Sequence, residues 1–421
     1  MGHTDMTFLG ITRIVAAALL MGHAGVAGIY YVDSNGGSDN NDGTSQGRAW
    51  SSLARISSVH YAPGDYVLLR RGRMWQERLS IAVSGSSDAP VVFGAYGSGA
   101  SPIIDGQGVF IPSGSGLVAL SGRSYITIDN LEIRNSSRDG LVPYLANQLT
   151  VSNCLIHYNR FNGILAFNGN NIDILNSEIY NNNLDTTASY DGIRIDGDGP
   201  SQANFLIAGN KIHDNVGGSG WLSGNGIHLG HTDGTTANLK GVVIEDNEIY
   251  RNGNPYQNQA GRGITGTFNG DVTIIRNEVY RNASAGIYIG DEGLAVNITL
   301  SNNFFMDNAL RQFGGYTTLT AYADHNLIFV DEPSLTAMGV EVGGSGTWNL
   351  QSNVFVYTTP SSDHYRGFIR INDATQDSNL LSNYNVFYSA GPQRWIRSDG
   401  VYLNFSQWQS AGYDGNSTNP Q

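Results

Sequence analysis

The chain has 421 residues, of which 54 are glycine and only 14% are charged. Its formal charge is −13, with 23 lysines and arginines and no basic run, which excludes electrostatic capture of nucleic acid or of an anionic membrane as its main business. A few arginines gathered in one groove can still bind an acidic polysaccharide, because the local field outweighs a distant acidic surface.

Residues 1–27 read as a secretory leader, so the protein is expected outside the cytoplasm, extracellular or periplasmic. Arg13 supplies the positive start, residues 14–21 the apolar core, and Gly25, Val26 and Ala27 a small-residue cleavage site. No later stretch is long and apolar enough to span a bilayer. Cys154 is the only cysteine, so no disulfide within the chain can staple the fold. Residues 28–125 are expected to form an N-terminal cap and the first turns of a coil. Tyr30, Tyr31 and Val32 suggest a strand, Asp39, Asn41 and Asp42 fit a solvated turn better than a calcium loop, and residues 50–56 supply the cap.

Over residues 126–390 a repeat becomes legible. The anchors Ile133, Ile156, Ile179, Ile212, Ile249, Val279, Phe305, Ile328, Phe355 and Phe387 recur with a basal step of about 23 residues, one turn of a coil of three short strands. Three residues after successive anchors stand Asn159, Asn182, Asn215, Asn252, Asn282 and Asn308, amides expected to hydrogen-bond up and down the stack. A Gly-Ile phrase follows at Gly192, Gly226, Gly263 and Gly286. Alternation along it points Ile193 and Ile195 inward and Gly192, Arg194 and Asp196 outward, with His228, Thr265 and Tyr288 in the same outward column. His213 joins Tyr180, Tyr250 and Tyr280 in a stacking column, and Lys211 falls between Glu178 and Glu248 as a solvated ion-pair ladder. Residues 391–421, with Phe405, Trp408 and Tyr413, are expected to cap the last turn.

These repeats resemble the right-handed parallel β-helix superfamily of pectate lyases, polygalacturonases, alginate lyases and mannuronan epimerases, from about Val67 to Tyr388. The resemblance implies an all-β, single-stranded parallel β-helix, a β-solenoid of about ten or more rungs with terminal caps, acting on a polysaccharide and needing no partner subunit. Three consecutive rungs lengthen between the ladder asparagine and the Gly-Ile strand, and the insertions carry Tyr190, Trp221 and Tyr256. The far side of the same strands grows too, through residues 196–202 and 231–241. Long loops on both sides of one strand face predict a groove with Arg194, His228, Arg262 and Tyr288 on its floor, and with Tyr190, Asp191, Trp221, His231, Asp233 and Tyr256 touching substrate.

Lyase chemistry on a uronate chain needs a cation for the carboxylate, a base for the proton at C5 and an acid for the leaving oxygen. Arg194 or Arg262 suits the first, His228 the second and Tyr288 the third. Hydrolysis needs two carboxylates flanking the bond, and Asp191, Asp196, Asp198 and Asp233 offer pairs. Gly230-His231 is similar to part of the polygalacturonase Gly-His-Gly motif, although no Asp-Asp pair accompanies it. Against the epimerase motif Tyr-Gly-Phe-Asp-Pro-His, residues 191–196 keep only the glycine and a bulky apolar residue. Neither lyase nor hydrolase chemistry requires a cofactor, while Asp196, Asp198 and Asp233 offer the hard oxygen ligands that calcium takes. A carbohydrate-binding solenoid or adhesin, with a floor that only lines the groove, is the reading from outside enzymology. Glu332, Glu341, His364 and Arg370 lie on rungs where the phrase is lost and suggest no constellation.

Overall fold

The computed structural model describes residues 27–185, 187, 189–197, 202–218, 223–230, 237–253, 261–290, 294–332, 337–360 and 366–420. They form a coil of short strands with three faces per turn. One turn runs through Asn170–Leu175 on the first face, Glu178–Tyr180 on the second and Ile193–Asp196 on the third. Each strand pairs in parallel with its equivalents one turn away, so Ile179 lies between Ile156 and Ile212, and Ile193 between Ile164 and Ile227. The second face alone is a sheet of twelve strands. The first and third faces join because Ile264–Ile275 runs around a corner from one to the other. This is the parallel β-helix that the repeat predicts.

The anchors fill the bore: Ile179, Ile212, Ile249, Val279, Phe305, Ile328, Phe355 and Phe387 are wholly buried. Each such side chain contributes roughly 1.5–3 kcal/mol by leaving water, and parallel stacking places each on its counterpart. At the corner after the first face, Asn130, Asn153 and Asn176 take φ of 61°, 54° and 49°, a left-handed conformation that asparagine tolerates better than most residues. Gly209 and Asp246 continue that corner.

The predicted asparagine ladder is present. Nδ2 of Asn159 donates to Oδ1 of Asn182 (2.9 Å), Asn182 to Asn215 (3.1 Å), Asn215 to Asn252 (2.9 Å), Asn252 to Asn282 (3.0 Å) and Asn282 to Asn308 (2.9 Å). The same Oδ1 atoms also accept the backbone N–H of the preceding asparagine, so each amide satisfies buried groups on two rungs. A second ladder runs from Asn210 through Asn247, Asn277, Asn303, Asn326 and Asn353 to Asn385.

The ladder also explains the glycine of the Gly-Ile phrase and corrects its expected direction. A Cβ on Gly192 would lie 2.6 Å from Nδ2 of Asn215 and 2.8 Å from O of Gly226, so Gly192 packs into the stack instead of facing out. Gly163, Gly226 and Gly263 are confined in the same way. On the second face the rings of His157, Tyr180, His213, Tyr250 and Tyr280 stack at successive centroid distances of 4.6, 5.2, 4.6 and 4.9 Å, as expected for His213.

Both ends are covered. Helix Leu53–Ser58, capped by the Ser52 hydroxyl accepting from Arg55 N, buries Leu53 and Ile56 beside Trp50. At the other end Trp395–Ile396 pairs antiparallel with Tyr402–Leu403, which stops the parallel addition of rungs, and Trp395 and Trp408 are buried.

Two substitutions separate the ladder from the surface. Asn215→Ala leaves the amides of Asn182 without their acceptor and should lower unfolding free energy by about 3 kcal/mol in urea titrations. Lys211, whose side chain is 61% exposed and 3.4 Å from Glu248, should leave the urea midpoint unchanged as Lys211→Ala.

Candidate functional site

Strand register on the third face lines up Leu165, Arg194, His228, Thr265, Tyr288, Gly314, Glu341 and Arg370 in one outward column, about 4.8 Å from rung to rung. Arg194, His228 and Tyr288 stand where the alternation predicts. Glu341 and Arg370, which the sequence leaves scattered, belong to the same column.

A second polar file flanks the glycines. Asn162 donates N–H (3.1 Å) and Nδ2 (2.7 Å) to Oδ1 of Asp139, and Asn225 repeats the arrangement on Asp191 at 3.0 and 2.7 Å. Asp191 N donates to Oδ1 of Asn162 and Arg262 N to Oδ1 of Asn225, so the file links five rungs. The second oxygen of Asp191 meets Nδ1 of His228 at 2.9 Å, with both side chains fully buried. A carboxylate accepts, so Nδ1 carries the hydrogen, and in the neutral ring the lone pair falls on Nε2. Nε2 is buried and has no hydrogen-bond partner among the described residues. Two expectations change here. His228 is not solvent-facing, because direction off the sheet does not decide what packs over it, and Asp191 cannot touch substrate because both its oxygens are turned into the protein.

Arg194 is also largely buried, with Nη2 2.6 Å from Oδ2 of Asp196 and Nη1 donating to O of Ser189 at 3.4 Å. Asp196 in turn accepts from Gly197 N at 2.7 Å. The two expected roles therefore sit in one ion pair: the clamp cation is held by the candidate carboxylate. Further along, the Arg262 guanidinium lies 4.8 Å from the centre of the Tyr288 ring and donates to the Thr265 hydroxyl at 2.8 Å. Arg311 covers Tyr288 at 4.6 Å and pairs with Glu341 at 3.1 Å, and Asn372 donates to Glu341 at 2.7 Å. Burial, with the Glu341 charge second, pushes the Tyr288 phenol well above its ordinary range, so it keeps its proton at neutral pH. Tyr190 stacks on Phe161 at 4.1 Å.

Asp198, Trp221, His231, Asp233, Tyr256 and His364 lie outside the described residues, as does most of the leader. Among the described residues no three histidine, cysteine, aspartate or glutamate side chains gather closely enough to hold a metal ion.

The family model described as "Right handed beta helix region" matches residues 96–239 and 185–355, more than half of the chain. The chain belongs to this right-handed β-helix family. Lacto-N-biosidase of Bifidobacterium longum is 35% identical over 136 residues, 26% of this chain and 8% of that protein, so this β-helix spans a small part of that relative's length. The pectate lyase Pel9A structure overlays with a TM-score of 0.53 at 21% identity, covering 72% of this β-helix and 78% of that chain. The GH136 lacto-N-biosidase of Eubacterium ramulus gives 0.51 at 17% identity, covering 93% of this β-helix and 67% of that chain.

Sequence reasoning missed Arg311, Glu341 and the Asp191 contact. Glu341 follows Gly339 and Val340 as His228 follows Gly226 and Ile227, and that offset was the available signal.

Asp139 shows what this β-helix does without an imidazole in the file. Three residues after Asn225 comes His228, but three after Asn162 comes Leu165, and burial pushes Asp139 up to about 6. A carboxyl raised in the folded state contributes stability below its unfolded value of 3.8 that is lost as pH rises through about 6. Asp139→Asn should therefore flatten the stability profile across that window and gain on the order of 3 kcal/mol at pH 7–8 relative to the parent. Chemical denaturation at a series of pH values reads this out; a profile as steep as the parent's would refute it.

Proposed function

We propose that this β-helix is an exported enzyme acting on a glycan, and that the Asp191–His228 dyad is its proton acceptor. The observation that carries the reading is the imidazole itself: Nδ1 is fixed by a buried carboxylate, and Nε2, on the outward column, has no hydrogen-bond partner among the described residues. An orienting acid behind a histidine is how a general base is aimed and its cationic form stabilised. The reaction this fits best is β-elimination on a uronic-acid glycan. His228 takes the C5 proton, the Tyr288 phenol gives its proton to the leaving oxygen, and Arg262, stacked on that ring, faces the carboxylate. Substrate has to part the side chains packed over His228, so binding and assembly of the site are one event.

The local likeness to a lacto-N-biosidase favours a second reading, hydrolysis of a glycosidic bond. There Asp196, paired with Arg194, is the nucleophile or base, and the His228 side chain delivers the proton to the leaving oxygen.

One assay separates these. The protein is incubated with acidic and neutral polysaccharides while ultraviolet absorbance of an unsaturated uronide and release of reducing ends are followed together. Both signals should rise, and His228→Ala should lower both by about 10²–10⁴-fold in protein that circular dichroism shows to be folded at the assay temperature. Reducing ends without absorbance, abolished by Asp196→Asn, would replace elimination with hydrolysis. Silence in both would leave a binding solenoid.

A further inference from the structure

Towards the N-terminal end the outward column continues through Ser80, Ala119 and Val142 to Leu165 and Arg194. Two residues on along the same strands, Ser121, Tyr144, Phe167 and Asp196 form a parallel column. Tyr144 stacks on Phe167 at 5.8 Å with the rings 13° from parallel, which covers one face of the tyrosine. Its other face turns to the Ser121 rung, where the side chain is too small to cover it, and Tyr144 remains 38% exposed. Small residues beside a large ring leave a cavity of about 270 Å³, floored by Ser80, Ala119 and Ser121 and walled by Tyr144, Arg78 and Arg123. Arg78 donates Nε to O of Gly116 at 3.0 Å and Nη2 to the Ser115 hydroxyl at 2.5 Å, neutral acceptors that fix the guanidinium without cancelling its charge.

We infer that this cavity is a subsite for an acidic sugar residue of the bound glycan. The sugar's apolar face lies on Tyr144, and its carboxylate or sulfate meets Arg78 and Arg123. In a chain of charge −13, two arginines at one cavity on the catalytic face select for an anion, and the planar fork suits a carboxylate. Tyr144 stands two rungs from Asp196, about 10 Å, so the glycan runs along the third face from the cavity toward the dyad. This rests on the glycan reading above and adds a polarity and an acidic requirement remote from the bond that breaks.

The test measures binding in a His228→Ala background, so that turnover does not interfere. Polygalacturonate and alginate are the acidic probes and an uncharged galactan the neutral one, with dissociation constants read by calorimetry. Arg78→Ala with Arg123→Ala should weaken an acidic chain about tenfold and make its binding less salt-dependent. Tyr144→Ala should weaken it about fivefold with less change in the salt slope. Melting temperatures and the Arg123→Ala single variant guard against a folding defect from lost Arg78 contacts. Acidic binding as tight in the double variant as in the parent would overturn the subsite and leave the lyase reading, which elimination by the parent tests separately. Failure of the parent to bind either acidic chain would also overturn it, and turnover of the galactan would then carry the hydrolase reading alone.

Discussion

The structure depends on one requirement: whatever polar group stands at a corner of one rung must be satisfied by the group at the same corner of the next, donor to acceptor. A primary amide meets it indefinitely, since it donates toward one neighbour and accepts from the other. Hydroxyls and carboxylates end such a run. The second ladder ends on such a group, where Asn385 donates to Asp414 at 2.8 Å; the first ends where Asn308 donates to Gln312 at 2.9 Å, an amide whose own Nε2 turns back to O of Asn308. Because the bond is between corners, the chain between them is free to vary: consecutive ladder asparagines are 23, 33, 37, 30 and 26 residues apart with almost unchanged bond lengths. That indifference to loop length lets a rigid coil carry large insertions at one place only.

What was legible in the chain follows from this. Ladder asparagines, bore aliphatics and confined glycines are each one residue type under one constraint, so they recur visibly and give the fold, the rung boundaries and the outward column. The file that builds the candidate site has no such identity. Asp139, Asn162, Asp191, Asn225 and Arg262 share a position through three residue types, because acceptor, amide and backbone donor alternate along it. Alternation gave the direction of His228 and Arg194 but not their burial, which depends on packing from other parts of the chain. Glu341 and Arg370 went unseen because Gly314 interrupts the column with no side chain.

The electrostatics of the third face are local. Arg194 with Asp196, Arg311 with Glu341 and His228 with Asp191 are pairs of low exposure, and taking such charges out of water offsets much of their attraction. They are better understood as orienting devices than as sources of stability. The aromatic column of the second face makes the contrast. From Tyr180 to Tyr280 each ring gives both faces to its neighbours or one to a neighbour at the end of the run, so little flat surface remains for a ligand. On the third face the stack is two rings long, and Tyr144 keeps a face over Ser121.

The dyad has a counterpart two rungs earlier in the chain that lacks its imidazole. Asp139-Gly140 and Asn162-Gly163 sit on adjacent rungs with the same amide contacts as Asp191-Gly192 and Asn225-Gly226, and bond lengths agree within 0.1 Å. In the first pair Leu165 occupies the outward position and the carboxyl is simply a buried acid, raised by desolvation. In the second pair His228 occupies it, and the same geometry becomes a carboxylate behind an imidazole. A carboxyl already placed in the stack, receiving the asparagine of the next rung, thus comes to stand behind an imidazole through a single outward side chain. A repeat fold can acquire such a site without rebuilding its core, because the column that holds the new side chain is the one the core leaves undetermined.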